Sequence, residues 1–575
     1  MFNDRDVVIE ENNSIYEGRF IFSEVVKTVM LLLKDEDARL RSSAARVLGN
    51  IKAGEAVDDL IKLLNDPDPD IRCDAATALG CIGDKSALLS LNQCLNDEDG
   101  LVILSAIHAL AEIGDNASVV PLIQAITSKK DFFYDLGGDL SGNYCWEIQE
   151  KAAHALGRIN DHRSVQALLD MLKDDDAEYM LGTILQSLIR LGDRKGIEAA
   201  AAYLNDTDVS KRRKAARAFC YAKGNSVLEF IIEALVDEDS VVKINALEAI
   251  GNIAEEKDII PVVLLLKDGG SDVRAKTIEV IGKVAGKKGI RYITPLLSDP
   301  AVSVRRKAAE TLGNLNSKES AEPLIHLLKD ADDGVAAEAI LSLGKIGDER
   351  AVRELIVLLT DKNRPAAFRS KVIFSLANIK AIDGIKAIID IIKDKNEDKG
   401  LKKIALQNLK NCDKQMALDD ISKIIDSCDG FTPLEKGISQ TNDVLFDSLK
   451  SEDVNIRCRA IKALSDTGDK DAVESIISLL KDNEKEVRRA AILGLGRLCD
   501  KRAIRLLAAC LFDYEFFDDL RNEIAMSLKK IDIDESTILM LNILSNKNES
   551  RNNHWTAMEA LSVIHGAENL SSVKT

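Results

Sequence analysis

One ten-residue pattern recurs along this chain and limits what it can fold into: apolar–Arg–x–x–Ala–Ala–x–x–Leu–Gly. Residues 71–80 read IRCDAATALG, residues 304–313 VRRKAAETLG and residues 487–496 VRRAAILGLG. The Arg slot sets the register. It falls on Arg41, Arg72, Ile103, Gln149, Leu181, Arg212, Lys243, Arg274, Arg305, Ala336, Arg369, Lys402, Arg457, Arg488, Arg521 and, weakly, His554. Most steps are 31 to 33 residues, but Ile103 to Gln149 is 46 and Lys402 to Arg457 is 55. A period of this length marks one supersecondary unit stacked on copies of itself.

Each unit reads as two helices. The first, such as AVDDLIKLL at 56–64, carries apolar residues at helical spacing. An Asp-rich turn follows, such as NDPDPD at 65–70, and then the Arg-slot helix. Neither helix can bury its apolar stripe alone, so neighbouring units must supply the core. Small pairs such as Ala75/Ala76 and Ala308/Ala309 allow close approach. The glycine that follows, Gly80 or Gly313, costs up to about 1 kcal/mol in a helix and so implies a packing reason. A cation near a helix N-terminus opposes the macrodipole unless carboxylates neutralise it. The anchors Arg41, Arg72, Arg212, Arg274, Arg305, Arg369, Arg457, Arg488 and Arg521 are therefore expected to form a structural ladder, each paired with the Asp-rich turns of its own and adjacent repeats.

These motifs, together with Ile–Gly–Asp at 82–84 and 346–348, resemble the HEAT-like repeats named for phycobilisome lyases, over roughly residues 21 to 570. The resemblance implies an all-α fold: an alpha-alpha superhelix, a right-handed solenoid of about 16 helical hairpins with about 31 residues each. It also implies that second helices line a long concave groove. For function it implies only a broad class, because such repeats occur in bilin lyases, scaffolds, adaptors and repair proteins.

Composition narrows the class. The chain has 575 residues, is 30% charged and carries a net charge of −18. Such a surface repels a phosphate backbone, so no nucleic-acid partner is expected; a protein partner with basic patches suits it better. The opening MFNDRDVVIEENNS has no signal-like apolar segment, and no apolar run approaches a membrane span. Ten cysteines without a CxxC pair read as reduced core residues, Cys81 and Cys499 among them, in a cytoplasmic protein.

The expected organisation is a non-repeat segment at 1–20, a solenoid at 21–427 with an insertion at 128–146, an irregular loop or hinge at 428–441, and a second solenoid segment at 442–575. The insertion is the conspicuous departure. Of 24 aromatic residues in the chain, Phe132, Phe133, Tyr134, Tyr144 and Trp146 fall within 15 positions. Nearby, Ile103, Gln149 and Leu181 break the Arg ladder in three consecutive repeats. Ile103 and Leu181 with the five rings form a candidate binding patch; the alternative is a small core that plugs the insertion. A second aromatic cluster, Phe512, Tyr514, Phe516 and Phe517, reads as a turn with most rings buried.

No catalytic signature emerges. There is no GxxxxGK[ST] loop, none of the six histidines is followed by Glu, and no metal site or cofactor is indicated. The basic clusters at 211–214 and 305–307 coincide with the ladder. The expected function is a non-enzymatic protein-interaction scaffold or adaptor, with the aromatic insertion as anchor. The alternative implied by the family name is a bilin lyase-like protein whose rings pack on a tetrapyrrole, with Tyr134, Asp135 and Tyr144 beside it.

Overall fold

The computed structural model describes residues 26–127, 133–134, 142–143, 145–174, 177–410, 445–468, 470–546 and 548–565. The segments expected at 1–20 and 428–441, and most of the aromatic insertion, lie outside them. The chain divides into two compact units, one made of Met1–Ala167 with Leu434–Thr575 and the other of Leu168–Pro433. Each is a stack of α-helical hairpins.

We label the second helix of each hairpin. In the first unit these are α1 (Ala38–Asn50), α2 (Pro69–Ile82), α3 (Gly100–Ile113) and α4 (Cys145–Ile159). The second unit has α5 (Ala177–Leu191), α6 (Val209–Ala218), α7 (Ser240–Ile253), α8 (Ser271–Ala285), α9 (Val302–Asn314), α10 (Asp333–Ile346), α11 (Ala366–Ile379) and α12 (Lys399–Lys410). The C-terminal run of the first unit adds α13 (Val454–Thr467), α14 (Lys485–Leu498), α15 (Arg521–Ile531) and α16 (Arg551–His565).

The Asp-rich turns explain where second helices begin. In the D-x-D of the turn the later Asp caps the helix: Asp68 accepts from Asp70 N–H, Asp208 from Ser210 N–H and Asp239 from Val241 N–H. The earlier Asp takes the anchor cation of the preceding repeat. Arg72 forks onto Asp97 through Nε and Nη2 at 2.9 and 2.6 Å, while its Nη1 donates to Asp66 O and Pro67 O in its own turn. The same geometry recurs for Arg41 on Asp66, Arg212 on Asp237, Arg274 on Asp299 and Arg305 on Asp330. Arg457 reaches Asp482 through Nη2, and Lys243 reaches Asp268 with its single ammonium. Arg369 uses Glu397 instead. Arg41, Arg72, Arg212, Arg274, Arg305 and Arg457 thus each tie two successive turns together.

Close packing explains the repeated glycine. A Cβ on Gly80 would sit 2.7 Å from Ala109 Cα, and one on Gly313 would sit 2.8 Å from Ser342 Cα. The residue eight past one anchor therefore meets the residue six past the next. Where that second residue is serine it also bonds across the joint: Ser342, Ser375 and Ser527 donate to the carbonyls of Ala309, Ile340 and Ile492. Turns between hairpins use Gly83, Gly114 and Gly347 in the left-handed region to end the helix.

Three expectations need correcting. Cys499 is exposed, not a core thiol; it ends α14 at φ 50°. In the second aromatic cluster only Phe517 is buried, while Tyr514 and Phe516 are exposed. The ladder also changes chemistry there. Arg488 finds no carboxylate fork and lies over the rings of Phe516 and Phe517, and Arg521 lies 4.5 Å from the Tyr514 ring centroid.

Candidate interaction surface

The second helices have a fixed division of labour. Counting from the anchor, positions −1, +3, +4, +6 and +7 are buried in α2, α7, α8 and α9. Positions −2, +2, +5 and +9 recur every three to four residues, so they share one outward stripe. Much of that stripe is polar and cross-linked between neighbours. Lys283 donates to Asn252 at 2.9 Å, Lys345 to Asn314 at 2.8 Å and Arg497 to Asp466 at 3.2 Å, all at position +9. Lys276 spans Glu248 and Glu279.

Large apolar and aromatic residues interrupt this stripe. Tyr179 at position −2 of α5 is 80% exposed, and Phe374 at +5 of α11 is 45% exposed. Leu493 and Met526 occupy +5 in α14 and α15. Along α5 and α6 such residues stand at both ends of the stripe. The Arg190 guanidinium lies 4.6 Å from the Tyr221 ring centroid, and Lys214 Nζ donates to Glu178 O at 3.0 Å. Arg217, at +5 of α6, adds a further exposed cation. Tyrosine and arginine are the residue types that dominate protein-binding hot spots, and here neither tyrosine serves the core.

The residues singled out by sequence fare unequally. Phe132 and Tyr144 lie outside the described residues. Phe133 and Tyr134 form a two-residue strand, β1 (Phe133–Tyr134), paired antiparallel with β2 (Gly142–Asn143). Trp146 is half exposed at the start of α4. Ile103 and Leu181 are 1% and 2% exposed, so they pack in the stack and offer no surface. Gln149 keeps part of the ladder function, donating to Ile126 O at 3.0 Å. Tyr179, Tyr221 and Phe374 went unnoticed in sequence. Their signal was positional, since apolar residues at −2, +5 or +9 of a second helix have no packing role.

Most cations of the basic clusters are paired. Arg213 forks onto Asp239 and holds its carboxyl down to about 2; Lys307 pairs with Glu310. Burial pushes the thiols of Cys73, Cys94, Cys220 and Cys510 up to about 11, so they are neutral and unreactive at physiological pH. A cavity of about 480 Å³ lies between α15 and α16, lined by Arg521, Asn522, Trp555 and Glu559 among others. Among the described residues no helix is long and apolar enough to cross a membrane.

HEAT repeats match residues 57–134, 139–189, 197–282, 261–338, 290–377, 321–410 and 442–529. The chain belongs to the HEAT-repeat family. Residues 40–66 also match the PBS lyase HEAT-like repeat. A search of curated proteins returned no match. Among solved structures, yeast importin-beta (Kap95p) shares 12% identity, covering 98% of this chain and 86% of that one at a TM-score of 0.44. The CpcE–CpcF complex of phycocyanin lyase from Nostoc sp. PCC7120 shares 20% identity over 45% of this chain and 92% of that one, at a TM-score of 0.27. Likenesses this distant carry no argument about function.

Proposed function

We propose that this protein is a non-enzymatic interaction scaffold that holds a protein partner along the outward stripe of its second helices. The observation that carries this reading is the row of Tyr179, Arg190, Arg217 and Tyr221 along α5, α6 and the turn that follows α6, with Tyr179 at one end and the stacked Arg190–Tyr221 pair at the other. The anchor ladder uses other side chains, and Tyr179, Arg217 and Tyr221 are exposed. Tyrosines offer large rigid area at low entropic cost, and flanking arginines supply directional bonds. Phe374, Leu493 and Met526 extend the same kind of surface along other second helices.

The test is affinity capture from host lysate with cross-linking, comparing wild type with Tyr179→Ser/Tyr221→Ser. Circular dichroism first establishes that both fold. Loss of a specific protein from the variant supports the scaffold. Retention of every bound protein by the variant removes this patch from consideration. A coloured ligand retained by either would favour tetrapyrrole handling instead.

A further inference from the structure

Among the described residues, the first and last second helices touch. Within the first unit, α16 packs against α1, although some 500 residues separate them in sequence. They meet as consecutive repeats do. Asn50, nine past its anchor, donates to Ser562, eight past its own, at 2.8 Å; Asn252 of α7 and the Cys220 carbonyl, just past α6, hold the same two positions. Ser43 donates to Glu559 at 3.3 Å, which matches the positions of Lys276 and Glu248 in α8 and α7. Arg551 pairs with Glu36 at 3.6 Å in the positions that Asp333 and Arg364 occupy elsewhere, with the charges reversed. The first unit therefore stacks in the order α13, α14, α15, α16, α1, α2, α3, α4. Its central joint is the one where stacking neighbours are not consecutive in sequence.

That joint is also built differently. At each joint between consecutive repeats inside a unit, the facing +8 and +6 positions include Gly or Ala on at least one side; even the bulkiest, Ile189 with Ala218 and Lys529 with Ala560, do so. At the end joint the same positions are Ser562 and Val47. Val47 is fully buried, so the two backbones cannot approach as Gly80 approaches Ala109. Polar bonds converge on Glu559 instead. It takes both Ser43 and Arg46, with Arg46 and Glu559 about two-fifths exposed.

We propose that the α1–α16 joint is a latch: a self-docking surface whose partner is the other end of the same chain, and the joint at which the first unit opens. One opening event uncovers both helices together. Ordinary fraying of chain ends acts on each helix separately, which gives the two cases different signatures.

Hydrogen exchange on the full chain separates them. Glu559→Arg on α16 sets two guanidinium groups against each other. It should raise exchange in peptides of α1 as well as α16, by roughly tenfold, while α2 and α14 stay at wild-type rates. Arg46→Glu combined with Glu559→Arg should restore both. Raising salt on the wild-type protein from about 0.05 to about 0.5 M, which screens exposed pairs, should speed α1 and α16 in parallel. The latch is refuted if Glu559→Arg changes α16 but leaves α1 at its wild-type rate, or if salt moves neither helix.

Discussion

Asp66 and Asp68 stand two residues apart and have separate tasks: Asp66 takes the Arg41 fork and Asp68 caps α2. Each fork sits where water is largely excluded, with the Arg72 and Asp97 side chains only 8% and 12% exposed. Arg72→Met would strand the Asp97 carboxylate and abandon two turn carbonyls. We expect a loss of about 3 kcal/mol, read as faster hydrogen exchange in the two hairpins that the fork joins. At the other end of a helix, Lys380 closes α11 at φ 59°, in the conformation that Gly83, Gly114 and Gly347 occupy elsewhere. Lys380→Gly should therefore raise the melting temperature, with a gain of about 1 kcal/mol. The ladder was legible in sequence because a cation at a helix start with Asp-rich turns on both sides has few other electrostatic solutions. Its change of partner at Arg488 was not. Asp513 stands at the proper spacing of 25 residues, yet Arg488 Nη2 donates to Phe516 O at 3.3 Å instead, and only the structure shows that.

Between elements, glycine sets the spacing. Gly313→Ala would drive a Cβ into the Ser342 backbone, so neighbouring helices must part and the Ser342–Ala309 bond must stretch. The expected cost is about 1–3 kcal/mol, visible as a lower melting temperature. Gly54 is the control: a Cβ there meets nothing within 4 Å, and Gly54→Ala should leave stability nearly unchanged. That the repeated glycine has a packing reason was readable from its recurrence inside helices. The binding stripe was less readable, because Ile103 and Leu181 stand out in sequence by lacking charge, yet an uncharged anchor simply sinks into the core. Tyr179 does not stand out until the helix face it occupies is known.

For the molecule as a whole, the repeat period reveals how neighbours in sequence stack but says nothing about which ends meet, so the α1–α16 joint could not be anticipated. Its electrostatics leads to the final prediction, the response to acid. The Asp161 and Asp500 carboxyls are held down to about 2 by side-chain bonds from Arg163 and Arg502, and Arg274 and Arg305 likewise depress Asp299 and Asp330. An unfolded chain protonates such groups near the ordinary value of about 4. Between about 4 and about 2 it then binds protons that the folded chain refuses, so this stabilisation is complete above about 4 and is lost as pH falls toward 2. His565 behaves differently. Burial lowers its pKa below the ordinary 6.5, and its Nε2 lies 2.8 Å from Thr537 Oγ1. Below about 6.5 the unfolded state gains a proton that the folded state resists, so α16 weakens in milder acid than the ladder does. Hydrogen exchange should then show two windows: α16 and its latch partner α1 loosen as pH drops below about 6.5, and the remaining hairpins hold until below about 4. His565→Gln should abolish the first window and leave the second in place. A single transition common to all hairpins would contradict this assignment.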